Sequence, residues 1–533
     1  MTVLLSPVDE IAGLTHEDWF AHELGAVRLG DPRRTERVVR LITALAAQPT
    51  ASLPKACGSW TDLKAAYRLL EGGRPGRAVR TQAKRPAPPS DGPSPDPPVA
   101  APDSARTDAP PDDPVPAVRK AGRPAMPSPN LPAAVRAAHI ERTWERLAGQ
   151  RLLLAVQDTT SLDLSAQSAT EGLGPIGQGR QVGLEVPTTL AVTVDGIPQG
   201  LLAQQVWARD PEQRGSRRQR RSKATVDKES QKWLTALAES RAMTPQDVTL
   251  VAVCDREADL FDFLVQAHQM PQTEALVRAA QGTRRVGEEL GSVRAQVEGQ
   301  PEAGRYLLEV PRADERAARQ AVMTVRFTGL TVLAPKGRKK DSVALPSVPL
   351  WAILVQEEAP PAGSEAVEWL LLTTLPVEDQ ETALQLVQWY CWRWRIERYH
   401  LVLKSGCRME ERQLGTRSGL EGLLALFSVI AVRLLQLQYL SRTTPEEPAA
   451  GVVTEEEWQV VWAVRHPGTP APEQPTLRQA VREIAGLGGF LGRKGDGEPG
   501  VITLWRGLIR LHDLLQGYHL ARRLLPYHSV GNA

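Results

Sequence analysis

Arg151-Leu152-Leu153-Leu154-Ala155-Val156 is a continuous apolar run of strand length, followed at once by Gln157-Asp158-Thr159-Thr160. A short uninterrupted run of this kind marks a strand covered on both faces. The polar tetrad predicts that the strand stops there, with Asp158 at its tip. The pattern returns in Val248-Thr249-Leu250-Val251-Ala252-Val253, which reads as a second buried strand ending on Cys254-Asp255-Arg256-Glu257. Between the two, residues 188–194, the Asp195-Gly196 turn and residues 199–206 read as a hairpin, and residues 229–242 as an amphipathic helix. The order predicts an α/β core with two aspartates at strand ends.

A third acid lies further on. Tyr390, Arg393, Glu397, His400 and Lys404 belong to a helix expected to begin near Glu381. At the α-helical advance per residue they fall within about an 80° arc. A packing face calls for aliphatics, whereas this one presents a phenol, a carboxylate, an imidazole and two cations. Carboxylates at rigid strand ends suit hard divalent cations, which prefer oxygen ligands. With two such ions, one activates the attacking hydroxyl or water and the other stabilises the leaving 3′ oxygen in phosphoryl transfer. Asp158, Asp255 and Glu397 are the candidate ligands. Each could instead cap a turn or a helix, and Asp163, Glu257, Asp259, Asp262, Glu410 and Glu411 compete locally.

The 533 residues suffice for several domains, and the net charge of +2 announces no polyanionic partner. Local charge does, in Arg33, Arg34, Arg37 and Arg40 and in the run over residues 214–223, although solvated faces look alike. The four cysteines (Cys57, Cys254, Cys391 and Cys407) form no CxxC pair, so neither a disulfide framework nor a zinc site is expected. No signal peptide is evident. The apolar segment 420–440 is interrupted by Glu421, Ser428, Arg433, Gln436 and Gln438 and reads as a buried helix, not a membrane span. A cytoplasmic protein is expected.

Residues 1–77 read as a helical domain in which Asp31 caps a helix with Pro32 in its first turn. Residues 78–133 are rich in proline and poor in large apolar side chains, the composition of a disordered tether. Residues 134–270 form the first part of the core, with a helix through Leu147 ahead of the first strand. Residues 271–376 read as a β-rich insertion, and residues 377–419 return to the core with the Glu397 helix. Residues 420–533 are helical apart from a glycine-rich stretch over 486–500.

Several stretches resemble the bacterial cut-and-paste DDE transposases of the insertion-sequence-four family, and the chain is similar to the transposon-five transposase. The resemblance is carried by residues 29–35 (LGDPRRT), 157–162 (QDTTSL), 253–259 (VCDREAD) and 369–373 (WLLLT), and by the Y-(2)-R-(3)-E-(6)-K spacing of Tyr390, Arg393, Glu397 and Lys404. It implies an RNase H-like core with a β-rich insertion between N- and C-terminal helical domains. Asp158, Asp255 and Glu397 become the metal-binding triad for Mg²⁺, with Mn²⁺ able to substitute. The implied chemistry is end nicking, hairpin formation and strand transfer at terminal inverted repeats, on double-stranded DNA and in a homodimer.

By the same resemblance Tyr390, Arg393 and Lys404 hold phosphates, with Arg278 matching a phosphate-contacting arginine, and Trp369 and Trp394 match base-flipping tryptophans; His400, on the same helix face, is a further candidate DNA contact. Trp369 also reads as a core residue of its strand. Arg33, Arg34 and Arg37, with Lys55, Lys64, Tyr67 and Arg68, would bind the transposon end, and the C-terminal helices would pair subunits. Where relatives carry a histidine in the hairpin strand, this chain has Glu185-Val186-Pro187. Two other functions fit part of the pattern: a non-catalytic end-binding or inhibitory relative, and a nuclease without strand transfer.

Overall fold

The computed structural model describes residues 16–71, 130–177, 179–210, 228–287, 291–310, 317–335, 346–451 and 453–524. Among them ten strands form one mixed sheet: β1 (Leu152–Asp163), β2 (Gly174–Pro175), β3 (Val182–Val192), β4 (Pro198–Gln204), β5 (Thr249–Cys254), β6 (Thr273–Arg278), β7 (Gly304–Val310), β8 (Arg319–Val332), β9 (Val348–Glu357) and β10 (Glu368–Thr373). The order is β2-β3-β1-β5-β6-β10-β9-β8-β7, with β4 also on β3. β1, β5 and β6 run parallel, and the other pairings are antiparallel.

The first strand does not stop at Gln157. Its parallel partner leaves at Val156↔Val253, but β3 continues beside it from Asp158↔Thr188 to Asp163↔Gly183. Backbone pairing thus carries β1 past the apolar run that marked it, and Leu162 returns to the core. Asp158 stands where one neighbour departs and the other remains, which opens one side of the strand to the helix that follows the insertion.

Residues 271–376 supply β6 to β10 and also a helix, Val293–Glu298, not expected from the sequence and capped by Ser292. These strands extend the core sheet, because β10 docks antiparallel on β6 with Leu371 opposite Arg278.

Helix Arg417–Thr443 has the length and hydropathy of a membrane span, but 94% of its apolar window is buried. Ser428, Arg433, Gln436 and Gln438 on this helix are buried. Ser428 accepts from Gln204 Nε2 at 3.0 Å, and the same amide donates to the Tyr399 hydroxyl at 2.9 Å. Three helices follow (Glu455–Arg465, Leu477–Leu487 and Val501–Leu524), the first two opened by the capping boxes of Thr454 with Glu457 and Thr476 with Gln479.

At the other end, helices His16–Leu24, Pro32–Ala47, Leu53–Cys57 and Trp60–Leu70 share one continuous core with the sheet. Asp31 accepts from the Arg33 amide at 2.9 Å, the expected cap. The next described helix, Leu131–Arg146, begins earlier than the composition suggested. Asn130 caps it through the Ala133 amide at 3.0 Å, and Pro132 sits in the first turn, where an N–H has no partner to lose. Residues 131–133 are therefore helix. The rest of the proposed tether, and the basic run over 214–223, lie outside the described residues.

A buried polar network joins these parts. Glu23 accepts from His139 Nδ1 at 2.5 Å and from Arg146 Nη1 at 2.6 Å, while Leu201 N–H donates to His139 Nε2 at 3.1 Å. Arg146 also donates to the Gln199 carbonyl of β4. Burial opposes ionisation of Glu23, but the Arg146 charge and the His139 hydrogen bond outweigh it and bring its pKa down to about 2.

Candidate active site

The expected single helix is two, Gln380–Cys391 and Trp394–Leu401, continued by a π-turn over Val402–Gly406. Between them hydrogen bonds shorten to i→i−3: Arg393 N to Tyr390 O at 3.0 Å, Arg395 N to Trp392 O at 2.9 Å, and Ile396 N to Arg393 O at 3.1 Å. In the π-turn they lengthen again, Cys407 N reaching Val402 O at 2.7 Å. Overwinding followed by underwinding replaces the regular arc read from the sequence, and π-turns recur at functional sites. The β3–β4 turn buttresses the break. Gly196, at φ 82°, lies so close to Trp392 that a Cβ would stand 2.7 Å from its ring, and its carbonyl accepts from Arg395 Nε at 3.3 Å.

Arg393 is buried at this break, its Nη2 2.6 Å from Glu397 Oε1 and its Nη1 3.6 Å from Asp158 Oδ2. It also hydrogen-bonds the phenol of Tyr390, itself buried. Burial is the largest influence on Asp158 and, with the like charges of Asp255 and Glu397, raises its pKa to about 6 against the Thr159 amide at 2.7 Å and the Arg393 charge. Asp158 thus feels the charges of both Asp255 and Glu397. Asp255 also caps the turn Arg256–Ala258 through the Glu257 amide at 2.8 Å.

No three His, Cys, Asp or Glu side chains among the described residues stand close enough to form a ready-made metal cluster. The donor set is nonetheless the hard-oxygen set that a divalent cation takes. A guanidinium within salt-bridge range of two of these carboxylates marks a place that already demands positive charge.

Five of the six competing acids are engaged elsewhere. Asp163 accepts from Ser165 and Gln181, Glu257 pairs with Lys232 at 3.2 Å, and Glu411 with Arg408. Glu410 takes the Asp163 amide at 3.0 Å and Lys404 at 3.5 Å. Asp259 is buried and accepts from the amides of Ala280 at 2.7 Å and Gln281 at 2.9 Å and from Arg284 at 2.7 Å. It ties the segment after Asp255 to the segment after Arg278, a role the sequence did not disclose. Asp259→Asn turns an NH₂ toward these donors and is expected to cost about 2 kcal/mol, seen as a lower urea midpoint at unchanged m-value.

His400 departs from expectation. It is buried against Tyr399, and desolvation, with Lys404 and Arg393 nearby, lowers its pKa to about 3. The ring is neutral at physiological pH and is no cationic contact for a phosphate. Arg34 is likewise half-turned inward, donating to the Leu29 carbonyl at 3.2 Å, while Arg33 and Arg37 are exposed. Lys55, Lys64 and Arg68 are also exposed, and Tyr67 is half-buried.

Arg278, half-buried, donates to the Glu368 carbonyl at 2.9 Å and hydrogen-bonds Tyr390. Trp369 on β10 is half-buried with its ring 6.3 Å from that of Tyr390, whereas Trp394 is 57% exposed with the Arg393 guanidinium 5.3 Å from its ring. The structure therefore gathers Asp158, Asp255, Glu397, Arg393, Tyr390, Arg278, Trp369 and Trp394, and Lys404 is separately paired. Glu185 on β3 is buried between Ser161 at 3.0 Å and Arg209 at 2.9 Å.

Two family models match the chain. One, described as transposase DNA-binding, covers residues 16–74. The other, described as the transposase Tn5 dimerisation domain, covers residues 429–527. They flank the sheet and the acidic site, and together they support a Tn5-like transposase that binds DNA and forms a homodimer.

Proposed function

We propose that the chain is a cut-and-paste DDE transposase of the insertion-sequence-four family, acting at terminal inverted repeats by end nicking, hairpin formation and strand transfer. The observation that carries this is Arg393 held between Asp158 at 3.6 Å and Glu397 at 2.6 Å, with Asp255 near enough to raise the Asp158 pKa, inside a chain whose two flanking segments match transposase domains. The strand order β4-β3-β1-β5-β6, with carboxylates on β1, just after β5 and on a later helix, supports an RNase H-like core.

Mg²⁺, or Mn²⁺ in its place, would be held by Asp158, Asp255 and Glu397 and would supply Lewis-acid stabilisation of the phosphoryl oxygens. Arg393 and Arg278 offer planar donors that grip two phosphate oxygens, and Lys404 offers a point charge. Tyr390 orients both arginines. The indoles of Trp369 and Trp394 suit a base taken out of the stack during hairpin formation. Arg33 and Arg37 face outward to contact the end, and a cytoplasmic, nucleoid-bound homodimer completes the assembly.

Purified protein given duplexes ending in its own element's repeats, a target plasmid and Mg²⁺ is expected to nick, form hairpins and join ends to the plasmid. Absence of any metal-dependent cleavage overturns the proposal in favour of a non-catalytic end-binding protein, and cleavage without joining points to a nuclease.

A further inference from the structure

Arg393 has more to do than hold a phosphate. Its side chain is nine-tenths buried, yet its guanidinium faces Glu397 at 2.6 Å, Asp158 at 3.6 Å and the Tyr390 phenol, while its buried Nε has no hydrogen-bond partner. A buried donor left unsatisfied is uncommon and calls for a reason. Here the guanidinium takes an oxygen of Glu397 that a divalent ion needs, and it remains one acceptor short of full satisfaction. It cannot make way by losing its proton, so it must move. The partner that suits it better than two separate carboxylates is a phosphate, which accepts two parallel N–H bonds from one fork.

We propose that Arg393 is an exchangeable counter-ion of the carboxylate site: it offsets part of the charge of Asp158 and Glu397 in the DNA-free protein and passes to a DNA phosphate when a divalent ion takes the carboxylates. This rests on the metal-site reading above and adds regulation to it. One positive charge of the DNA-free site is supplied internally, and metal occupancy becomes linked to an end being in place. Linkage is reciprocal, so the factor by which DNA strengthens metal binding is the factor by which metal strengthens DNA binding.

The test uses Mn²⁺ alone as the probe, its free fraction read by electron paramagnetic resonance, on the full chain with and without a pre-cleaved end duplex. Wild-type protein is expected to bind Mn²⁺ about tenfold more tightly with the duplex, within the usual range of coupling between sites. Arg393→Met is expected to bind Mn²⁺ about tenfold more tightly than wild type without DNA and to lose most of the duplex-dependent gain, since the competing cation is gone. Arg393→Lys, which keeps the charge but not the fork, should hold the DNA-free Mn²⁺ affinity close to wild type and separates charge from packing. Asp255→Asn, which leaves the Arg393 contacts in place, should lose Mn²⁺ binding in every condition. If Arg393→Met binds Mn²⁺ no better than wild type while Asp255→Asn abolishes binding, the counter-ion proposal is overturned and the metal site stands. If Asp255→Asn binds like wild type, the carboxylate site falls and the proposal with it.

Discussion

Asp158→Ala is expected to lower end cleavage by at least about a thousandfold while leaving affinity for the transposon end within about threefold of wild type. Losing one carboxylate of a metal-binding set removes several kcal/mol of transition-state stabilisation, and each 1.36 kcal/mol is a factor of ten in rate. On the function proposed, end binding would depend instead on the exposed arginines of helix Pro32–Ala47 and their neighbours, so it should keep its salt dependence. A stability measurement separates this outcome from simple unfolding. Burial and the charges of Asp255 and Glu397 raise the pKa of Asp158 to about 6, so its ionised form opposes folding at neutral pH. Its removal should leave the urea midpoint unchanged or slightly higher, unlike Asp259→Asn. Normal cleavage by Asp158→Ala would falsify the triad.

The parts of this site legible in the sequence are those set by local pattern. Two apolar runs placed β1 and β5 beneath their acids, because strands covered on both faces are written in consecutive apolar side chains. Asp31-Pro32 announced its helix by the chemistry of one cap. What stayed hidden depends on partners distant in the chain. The extension of β1 to Asp163 is polar and exists because β3 pairs with it. The start at Leu131 was masked by Pro132, which shares the composition of the residues before it but serves a helix. A helical wheel assumes one regular helix, so it could show neither the break at Trp392–Arg393 nor the burial of His400. The spacing of Arg393 and Glu397 permits an i,i+4 pair, but the third partner, Asp158, comes from another element.

The longest reach of this kind is the buried triad of Glu23, His139 and Arg146, whose members join the N-terminal helices to the strands and to helix Leu131–Arg146. Arg146→Met is expected to destabilise the protein by about 3–5 kcal/mol, because it strands the Glu23 carboxylate in the core without its main counter-charge. The double variant Glu23→Gln, Arg146→Met should recover more than about 1 kcal/mol of that loss, since the uncompensated charge is gone and the Gln oxygen still accepts from His139. Acid provides an independent check with a definite sign. The folded pKa of Glu23 lies near 2, below the ordinary 4.5, so its contribution is fully present above pH 4.5 and is lost as pH falls towards 2. Linkage puts the loss at roughly 3 kcal/mol across that window, and Glu23→Gln should flatten this part of the stability profile. Urea midpoints measured from pH 5 down to pH 2 decide the matter: parallel profiles for wild type and Glu23→Gln would show that another group carries the acid sensitivity. Because the same triad holds the matched DNA-binding segment against the core, Arg146→Met should also weaken the dependence of cleavage on end binding before the chain unfolds.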